Sequence, residues 1–396
     1  MKDEAYAVHG FRASAVCAGL KKDGGLDLAL IYSDKEAVGA GVFTRNRVKA
    51  APVLVSQEHI QQGLIRAIVA NSGNANACTG DKGLMDTRKT AALVAQALGV
   101  RPETVVVAST GVIGLPMDMD KVNKAIPQLV EHLSPKGIPE AAKAIMTTDT
   151  FPKTSARTGR ASGKTYKVVG IAKGAGMIMP DMATMLCFMF TDLEVDRDTL
   201  FESLSWAVDR TFNRITVDGD TSTNDMVVIM ANGMAGNGPL TPSEKEGFRH
   251  VLEEVAGDLA RMIVQDGEGA TKLVQVCVRG ALDKESALQA ARTVANSLLV
   301  KTAFYGNDPN WGRIMAALGR SRIDMEERSI DIWIDDVQIV SGGQGRGKDA
   351  EERAAKVMEK ENYRLTIDLN QGDHEDSVWT CDLSHDYVRI NAEYRT

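Results

Sequence analysis

Short runs of β-forming residues alternate with longer amphipathic stretches along the chain, and this alternation limits the possible folds more than any other sequence feature. Apolar and β-branched runs predict strands at residues 26–32, 66–70, 104–108, 167–172, 184–191, 226–231, 273–279 and 329–334. Apolar residues spaced three and four apart predict helices at residues 85–98, 121–133, 198–212, 243–262 and 286–299. Some strands follow one another directly and others are separated by helices, so the pattern predicts a mixed α/β or α+β fold without fixing its topology.

Turn-forming residues separate these segments. Gly-rich and polar stretches predict loops at residues 153–163, 232–239 and 341–348, and a weak domain boundary is expected near residue 280. One helix start is well marked, because Thr241 precedes Pro242 and Glu244 stands where a capping box has its acidic residue. A chain of 396 residues is long enough for two or three packed units.

The charge pattern argues against several classes of partner. The net charge is -7 at pH 7 and no basic stretch stands out, which disfavours a nucleic-acid-binding protein. The first residues lack the basic start and apolar run of a secretory signal, and no apolar stretch is long enough to span a membrane. We therefore expect a cytoplasmic protein without nucleic-acid or membrane partners.

Cysteine and histidine residues are too scattered to suggest a metal site. The five cysteines include no C-x-x-C pair, and the six histidines never take a ligand spacing such as H-E-x-x-H. Neither a zinc site nor a disulfide framework is expected, and the cysteines are predicted to be reduced.

The segment KGAGMIMPDMATML, residues 173–186, is the most unusual part of the chain. Glycines and a proline precede Ala183 and Thr184, which open an apolar run, so a loop is expected to lead into a buried strand. Gly and Pro are common before strands and Thr often begins one, so the segment has an ordinary structural explanation. The chemical alternative is self-cleavage, in which the Thr184 hydroxyl attacks the Ala183 carbonyl and shifts the acyl group from nitrogen to oxygen.

Two features of this segment suit self-cleavage. The small side chain of Ala183 leaves its carbonyl group accessible, and the upstream glycines allow a strained backbone. Hydrolysis of the resulting ester would release a second chain that begins with Thr184. Its new α-amino group, with a pKa of about 7.7–8.0 in model compounds, is partly unprotonated at neutral pH and can activate the adjacent hydroxyl.

KGAGMIMPDMATML resembles the self-processing segment of the ornithine acetyltransferases, also called glutamate N-acetyltransferases, of arginine biosynthesis. Further blocks resemble that family in the same order: ANSGNANACTG from residue 70, STGVIG from 109, MTTDT from 146, DGDTSTND from 218, DGEGATK from 266, DPNWGR from 308 and DLSHDYVRINAEYRT from 382. The resemblance covers nearly the whole chain, so it favours self-cleavage over an ordinary strand start.

The resemblance implies roles for residues around the cleavage site. It implies that Thr184 is the nucleophile and that Thr110 and Gly111 form the oxyanion hole, although this pair also suits a plain turn after a strand. Lys173 is implied to bind a substrate carboxylate or to tune the nucleophile, whereas an isolated Lys is usually a solvated surface charge.

Substrate-binding positions are implied elsewhere in the chain. Glu268, between two glycines, is suited to receive the cationic amine of ornithine, and its ordinary alternative is a solvated loop carboxylate. The other matching positions are Thr147, Asn391 and Thr396. Residues this close to the end of the chain bind a ligand only if the tail is docked against the site.

The implied reaction is a ping-pong transfer of an acetyl group from N-acetylornithine to Thr184 and then to glutamate, with no metal or organic cofactor. Some family members also use acetyl-CoA, and the sequence leaves this second activity open. The implied fold is an α/β sandwich with Thr184 at the start of a central strand. Residues 1–183 and 184–396 would be the α and β chains of a heterotetramer with two copies of each.

Two other function classes remain open on the sequence. In a related self-processing amidohydrolase or aminopeptidase, water would resolve the acyl-enzyme in place of glutamate. A non-catalytic binding protein would remain uncut, and the presence of all the matching residues named above argues against it. ATP binding at GGQGRGKD, residues 342–349, is disfavoured because Asp349 stands where a phosphate-binding loop has Ser or Thr.

Two of the matching blocks are interpreted structurally. Asn71, Asn74 and Asn76 are expected to shape a loop that supports the active site, without a catalytic role. In DPNWGR, Asp308 is expected to cap a helix and Trp311 to be buried.

Overall fold

The computed structural model describes residues 3–179 and 185–393. The chain divides into two compact units, the first made of Met1–Asn213 and Asp220–Ile263 and the second of Arg214–Gly219 and Val264–Thr396. Each unit has its own sheet and its own buried core. The boundaries between the units do not coincide with Thr184, so the division into units does not bear on whether the chain is cut there.

The first unit is built on an eight-stranded sheet. Within the described residues its strands are β1 Phe11–Val16, β2 Leu28–Phe43, β3 Leu64–Asn71, β4 Val105–Ser109, β5 Lys153–Ala161, β6 Lys164–Lys173, β7 Leu186–Thr191 and β8 Met226–Ala231. The helices are α1 Ala51–Gln61, α2 Gly80–Leu98, α3 Met119–Glu131, α4 Ile138–Ala144, α5 Arg197–Arg210 and α6 Pro242–Gln265.

The sheet of the first unit folds back on itself around one core. Its strand order is β4-β3-β2-β8-β7-β6-β5, with β1 paired to β2. The long strand β2 joins the two parts, because it pairs with β3 through residues 28–38 and with β8 through residues 38–43. Side chains of both parts, including Ala108 of β4 and Phe188 of β7, share one buried cluster. This arrangement confirms the predicted α/β sandwich.

Strand β7 lies inside this sheet. It is antiparallel to β6 and parallel to β8, so Leu186 pairs with Lys173 on one side and with Met226 on the other. All of its residues are buried. The strand predicted from residue 184 begins at Leu186, and Thr184 itself lies outside the described residues.

Helices cover the outer face and one edge of strands β1 to β4. Apolar side chains of α2 and α3, including Val94 and Ile126, pack against these strands in a second buried cluster. At the edge strand β4, Ser56 of α1 donates a hydrogen bond to Val107 O at 2.7 Å and accepts one from its N–H group at 2.9 Å. These bonds protect an edge that could otherwise pair with another chain.

The second unit is built on a six-stranded sheet. Within the described residues its strands are β9 Leu273–Ala281, β10 Asp331–Ile334, β11 Val337–Ser341, β12 Gln344–Gly345, β13 Asn362–Asp368 and β14 His374–Cys381, in the spatial order β12-β11-β10-β13-β9-β14. Its helices are α7 Lys284–Ala295, α8 Leu298–Tyr305, α9 Trp311–Gly319, α10 Lys348–Met358 and α11 His385–Ala392. The alanine-rich face of α7 packs against this sheet, and β9 runs through the region near residue 280.

Strands with polar residues were the main errors of the sequence-based assignment. The stretch predicted as a loop at residues 153–163 is β5 and its turn. Because β5 is an edge strand with a half-exposed outer part, it tolerates polar side chains such as Arg157 and Arg160. Strands β1, β11, β13 and β14 also lack a continuous apolar run, and the loop predicted at residues 341–348 contains β12.

Helix ends were predicted with mixed success. The capping box is confirmed, because Glu244 accepts the N–H of Thr241 at 2.9 Å and Thr241 accepts the N–H of Glu244 at 3.3 Å. The helix predicted at residues 286–299 is confirmed as α7 over most of its length, but α7 ends at Ala295 and a separate helix, α8, begins at Leu298.

The prediction for DPNWGR is also corrected. Asn310 caps α9 in place of Asp308, because the Asn310 side chain accepts the N–H of Arg313 at 3.2 Å. Trp311 is half-buried, and its indole N–H donates to Glu351 at 3.0 Å. The block has a structural role, as expected, but the residue that caps the helix is Asn310 and not Asp308.

Candidate active site

Lys173 and Thr110 come together although their strands are far apart in the order of the sheet. Lys173 is the last residue of β6, and Thr110 follows β4. In a flat sheet the five strand spacings between β4 and β6 would separate them by about 24 Å. The folded-back sheet leaves Lys173 Nζ 3.4 Å from Thr110 Oγ1, with both residues buried.

Gly111 lies beside Thr110 in a conformation that a larger residue cannot adopt without displacing its neighbours. Its φ angle is +134°, and a Cβ atom there would lie 2.3 Å from the carbonyl carbon of Gly73 and 2.5 Å from the nitrogen of Asn74. The N–H of Thr110 donates to Asn71 O at 2.9 Å. The loop after β4 therefore packs backbone to backbone against the loop after β3.

Amide side chains tie these loops together. Asn71 Nδ2 donates to Asn74 O at 2.9 Å. Asn224, from the DGDTSTND block, donates to Ala75 O at 2.7 Å and to Ser109 O at 2.8 Å. Three of the matching blocks thus meet at one place, and the Asn-rich loop serves as a scaffold for the turn that follows β4.

Asp149 is a buried carboxylate that joins two further blocks. Its Oδ1 accepts hydrogen bonds from Lys153 Nζ at 2.6 Å and from the N–H of Gly174 at 2.7 Å, and its Oδ2 accepts the N–H of Thr147 at 2.9 Å. The side chains of Asp149 and Lys153 have no exposed surface. Asp149 therefore connects the MTTDT block to the residue that follows Lys173.

Asp225 holds the backbone where β7 begins. Its Oδ1 accepts the N–H of Met185 at 2.9 Å, and Met185 O accepts the N–H of Met226 at 3.2 Å. The Asp225 side chain is completely buried, and among the described residues its Oδ2 has no hydrogen-bond partner. Leu186 pairs with Lys173, so Met185 and Lys173 lie at the same end of the paired strands β7 and β6.

The two buried acids have opposite pKa shifts. Burial alone would raise the pKa of Asp149, but the ammonium groups of Lys173 and Lys153 outweigh it and lower this pKa to about 2. Burial raises the pKa of Asp225 well above its usual range, and the hydrogen bonds it accepts and the charge of Lys173 oppose this only in part. Asp149 is therefore ionised at neutral pH, whereas burial disfavours the charged form of Asp225.

Glu268 and Asn391 form a hydrogen-bonded pair within the second unit. Asn391 Nδ2 donates to Glu268 Oε2 at 2.7 Å, and Glu268 is only 9% exposed. Asn391 lies on α11, near the end of the described chain. Two of the implied substrate-binding residues thus meet, and Glu268 is not a solvated loop carboxylate.

The loop that carries Glu268 is tied to the C-terminal segment. Asp382 accepts the N–H groups of Thr271 at 2.8 Å and of Lys272 at 2.9 Å. Ser384 Oγ donates to Gly269 O at 2.6 Å. The segment that leads into α11 is therefore docked against this loop, as a binding role for residues near the C terminus requires.

Several site residues are recoverable from the sequence and others are not. Ala183, Thr184 and Thr396 lie outside the described residues. The structure adds Asp149, Asn224 and Asp225, which sequence reasoning missed. Each stands in a block that matches the family, MTTDT or DGDTSTND, but residue type alone does not reveal that a carboxylate is buried.

The described side chains suggest chemistry based on hydroxyl, ammonium and carboxyl groups. Within residues 3–179 and 185–393, no group of three or more His, Cys, Asp or Glu side chains is placed to hold a metal ion. No helix in that part of the chain is both long and apolar enough to cross a membrane. The cysteines are free, and Cys187 and Cys381 are buried.

Comparison with known proteins identifies the family. The model of the ArgJ family matches residues 12–396. The chain belongs to the ArgJ family. It is 55% identical over 392 residues to the arginine biosynthesis bifunctional protein ArgJ of Geobacter sulfurreducens, an alignment that covers 98% of this chain and 100% of the relative. The resemblance seen in the sequence is thereby confirmed.

Other ArgJ-family relatives support the same conclusion. The glutamate N-acetyltransferase of Methanocaldococcus jannaschii is 47% identical over 404 residues, with 98% of each chain covered. The crystal structure of the arginine biosynthesis bifunctional protein ArgJ from Bacillus halodurans is 44% identical and has a TM-score of 0.50. That match covers 52% of this chain and 97% of the solved chain.

Proposed function

We propose that this ArgJ-family enzyme cleaves itself before Thr184 and then moves an acetyl group from N-acetylornithine to glutamate in arginine biosynthesis. The family and its named relatives support the acetyltransferase activity. The observation that carries the mechanism is the surroundings of Met185, to which Thr184 is bonded. Asp225 holds the N–H of Met185, and the next residue pairs with Lys173, whose ammonium group lies beside Thr110.

The first proposed step is cleavage of the Ala183–Thr184 peptide bond. The Thr184 hydroxyl attacks the Ala183 carbonyl, the acyl group moves to oxygen, and water releases residues 1–183 as the α chain and 184–396 as the β chain. The new α-amine of Thr184 then serves as the base for its own hydroxyl. The solved Bacillus halodurans chain, which spans about half of this one, has the length that a cut relative would give.

Thr110 and Gly111 are proposed to stabilise the oxyanion of each acyl transfer. The Thr110 hydroxyl and the Gly111 N–H are donors on a loop fixed by the backbone of the neighbouring loop, so they need no rearrangement during the reaction. Lys173 and Thr147 are proposed to bind the substrate carboxylate. The charge of Lys173 acts on Asp149, and the N–H of Thr147 donates a hydrogen bond to it.

A Gly111→Ala variant is expected to lose about 100- to 1000-fold in kcat, the usual effect of removing one oxyanion donor. The added Cβ would overlap Gly73 and Asn74, so the turn must move away from its present position. Steady-state kinetics on the cut protein measures the loss. Gly99→Ala is the matched control, because Gly99 also has a positive φ, +67°, but open space around its Cβ position. A Gly111→Ala enzyme as active as that control would contradict the assignment.

Glu268 is proposed to receive the side-chain amine of ornithine, with Asn391 and Thr396 at the same subsite. The hydrogen bond from Asn391 fixes the Glu268 carboxylate, and the docked α11 keeps both in place. An oriented and nearly buried carboxylate is a better partner for an ammonium group than a mobile surface one.

The complete cycle is proposed to be ping-pong. N-acetylornithine acetylates Thr184 and ornithine leaves, after which the amine of glutamate takes the acetyl group and N-acetylglutamate is formed. No metal or organic cofactor takes part in these steps. The same proposal includes three further points. Acetyl-CoA serves as a second acetyl donor, two α and two β chains form a heterotetramer, and the enzyme is located in the cytoplasm.

The transferase and a related amidohydrolase differ in what resolves the acetyl-enzyme. Purified protein should release ornithine from N-acetylornithine at a rate that depends on added glutamate, with N-acetylglutamate formed in equal amount. Chromatography of both amino acids measures this. Ornithine release that is steady in the absence of glutamate, with free acetate as the second product, would favour hydrolysis and overturn the transferase.

A further inference from the structure

The loop between β1 and β2 carries a half-buried lysine, Lys21, to which the steps proposed above give no role. Its backbone is held by the buried side chain of Asp27, whose carboxylate accepts the N–H groups of Ala18 at 2.6 Å and of Lys21 at 3.0 Å. The Lys21 ammonium group donates a hydrogen bond to Leu26 O at 3.0 Å. Both ends of this side chain are therefore fixed, although it lies in a loop.

This loop packs against the loops of the candidate active site. The carbonyl oxygen of Asp27 accepts the N–H of Ser72 at 2.9 Å. A Cβ atom on Gly73 would lie 3.2 Å from Lys21 Cγ, so the stem of Lys21 lies directly over that glycine. Gly73 is also the residue against which Gly111 packs. Lys21 and the proposed oxyanion loop thus contact the same turn.

Lys21 is the most accessible of three lysines that interact electrostatically with Asp149. The charges of Lys153 and Lys173 act on Asp149, and the charge of Asp149 acts on Lys21. Lys153 is completely buried and Lys173 is only 3% exposed, whereas Lys21 is half-buried. Of these three cations, Lys21 is therefore the one best placed to meet a ligand that enters from solvent.

The charge of Lys21 is not neutralised by a close acid. Within residues 3–179 and 185–393, no carboxylate forms an ion pair with its ammonium group. Burial lowers the pKa of Lys21, and the longer-range charges of Asp23, Asp27 and Asp149 oppose this only in part. A carboxylate that bound here would form a charge-assisted hydrogen bond and offset the cost of burial. The position therefore suits an anionic ligand.

The two substrates differ by one carboxylate. The carboxylate on the α-carbon is common to N-acetylornithine and glutamate, and it is the group proposed above for Lys173 and Thr147. The side-chain carboxylate of glutamate cannot take the place of the ornithine amine beside Glu268, because like charges repel. We propose that Lys21 binds the side-chain carboxylate of the acceptor glutamate and so determines which amino acid accepts the acetyl group. This inference rests on the proposed acetyl transfer.

A Lys21→Met variant keeps most of the apolar stem and removes the charge. In a ping-pong cycle, kcat/KM for each substrate reports only on its own half-reaction. We expect kcat/KM for glutamate to fall roughly 10- to 100-fold through KM, the usual loss of one charged hydrogen bond. The value for N-acetylornithine should not change. Lys22→Met is the matched control, because Lys22 is the next residue and is exposed, and it should behave like the wild type.

Glutamine as the acceptor tests the charge itself, because it has the size of glutamate without the side-chain carboxylate. The wild type should prefer glutamate over glutamine by roughly 10- to 100-fold in kcat/KM. Lys21→Met should lose most of this preference, and Lys21→Arg, which keeps a positive charge, should retain it. A purely structural Lys21 would change the activity of the enzyme but not its choice between these two acceptors.

Two results would overturn the proposal on Lys21→Met: an unchanged preference for glutamate, or an equal loss of kcat/KM for glutamate and for N-acetylornithine. The wild type gives a test that does not depend on the folding of any variant, because equal use of glutamine and glutamate would overturn the proposal as well. Absence of glutamate-dependent ornithine release from the wild type would instead refute the proposed function itself, so the two failures are distinguishable.

Discussion

A Thr184→Ala variant is expected to remain one chain of 42.7 kDa, whereas the wild type should give two fragments of about 20 and about 23 kDa. Alanine has no hydroxyl to attack the preceding carbonyl, so neither the ester nor its hydrolysis products can form. Denaturing electrophoresis and intact-mass measurement detect the difference. The larger fragment must begin with Thr184.

The same variant should lose transferase activity by roughly 10⁴- to 10⁶-fold, as is usual when a covalent nucleophile is removed. Thr191→Ala is the matched control, because Thr191 is a buried threonine at the far end of β7 whose hydroxyl accepts the N–H of Leu193 at 3.2 Å. This control should be cut and active. If the wild type is never cut, the freed α-amine does not exist and the proposed base must be abandoned.

An Asp149→Ala variant is expected to lose about 3–5 kcal/mol of unfolding free energy, the usual cost of breaking a buried ion pair. The substitution removes the carboxylate that both Lys153 and Lys173 face, and it leaves the N–H groups of Thr147 and Gly174 without their acceptor. Urea unfolding followed by circular dichroism, in the uncut Thr184→Ala background, measures the loss on a single chain.

A surface pair gives the comparison. Glu58 and Arg88 lie 2.9 Å apart, but their side chains are 55% and 53% exposed, so Glu58→Ala should cost less than about 1 kcal/mol. Equal effects of the two substitutions would show that burial does not strengthen the Asp149 interactions.

The pH dependence of the Asp149 contribution has a definite sign. Its pKa is lowered from 3.8 to about 2, so its stabilising effect is complete above the unfolded-state value and is lost as the pH falls from about 4 towards 2. The stability difference between the parent and Asp149→Ala should therefore shrink across that range. A difference that stays constant down to pH 2 would contradict the assignment.

The sequence predicts strands well where they are buried on both sides. β8 lies at the predicted residues, and β3 and β4 deviate by at most two residues at either end, because their apolar runs reflect burial on both faces. β5 and β14 were missed because edge positions admit polar residues, so the periodic signal is weak. Local pattern therefore reports burial more directly than it reports strand structure.

The site shows a similar limit. Thr110, Gly111 and Lys173 could be named from the blocks in which they stand, and the structure brings Thr110 and Lys173 to 3.4 Å. The roles of Asp149 and Asp225 could not be named, because a carboxylate is usually exposed and its burial depends on tertiary partners. The bond between Glu268 and Asn391 depends likewise on the docking of α11.

The strand order of the first unit has a practical consequence for anyone who produces the mature enzyme. A cut before Thr184 assigns β1 to β6 to one polypeptide and β7 and β8 to the other, yet β8 lies against β2 and β7 lies against β6. The shorter polypeptide would thus surround the strand pair of the longer one within a single sheet. Separating the two polypeptides requires breaking the hydrogen bonds of both strand pairs. Each polypeptide made alone would therefore expose unpaired strand edges, which are prone to aggregate. Co-expression of the two is the suitable way to produce the enzyme from separate chains.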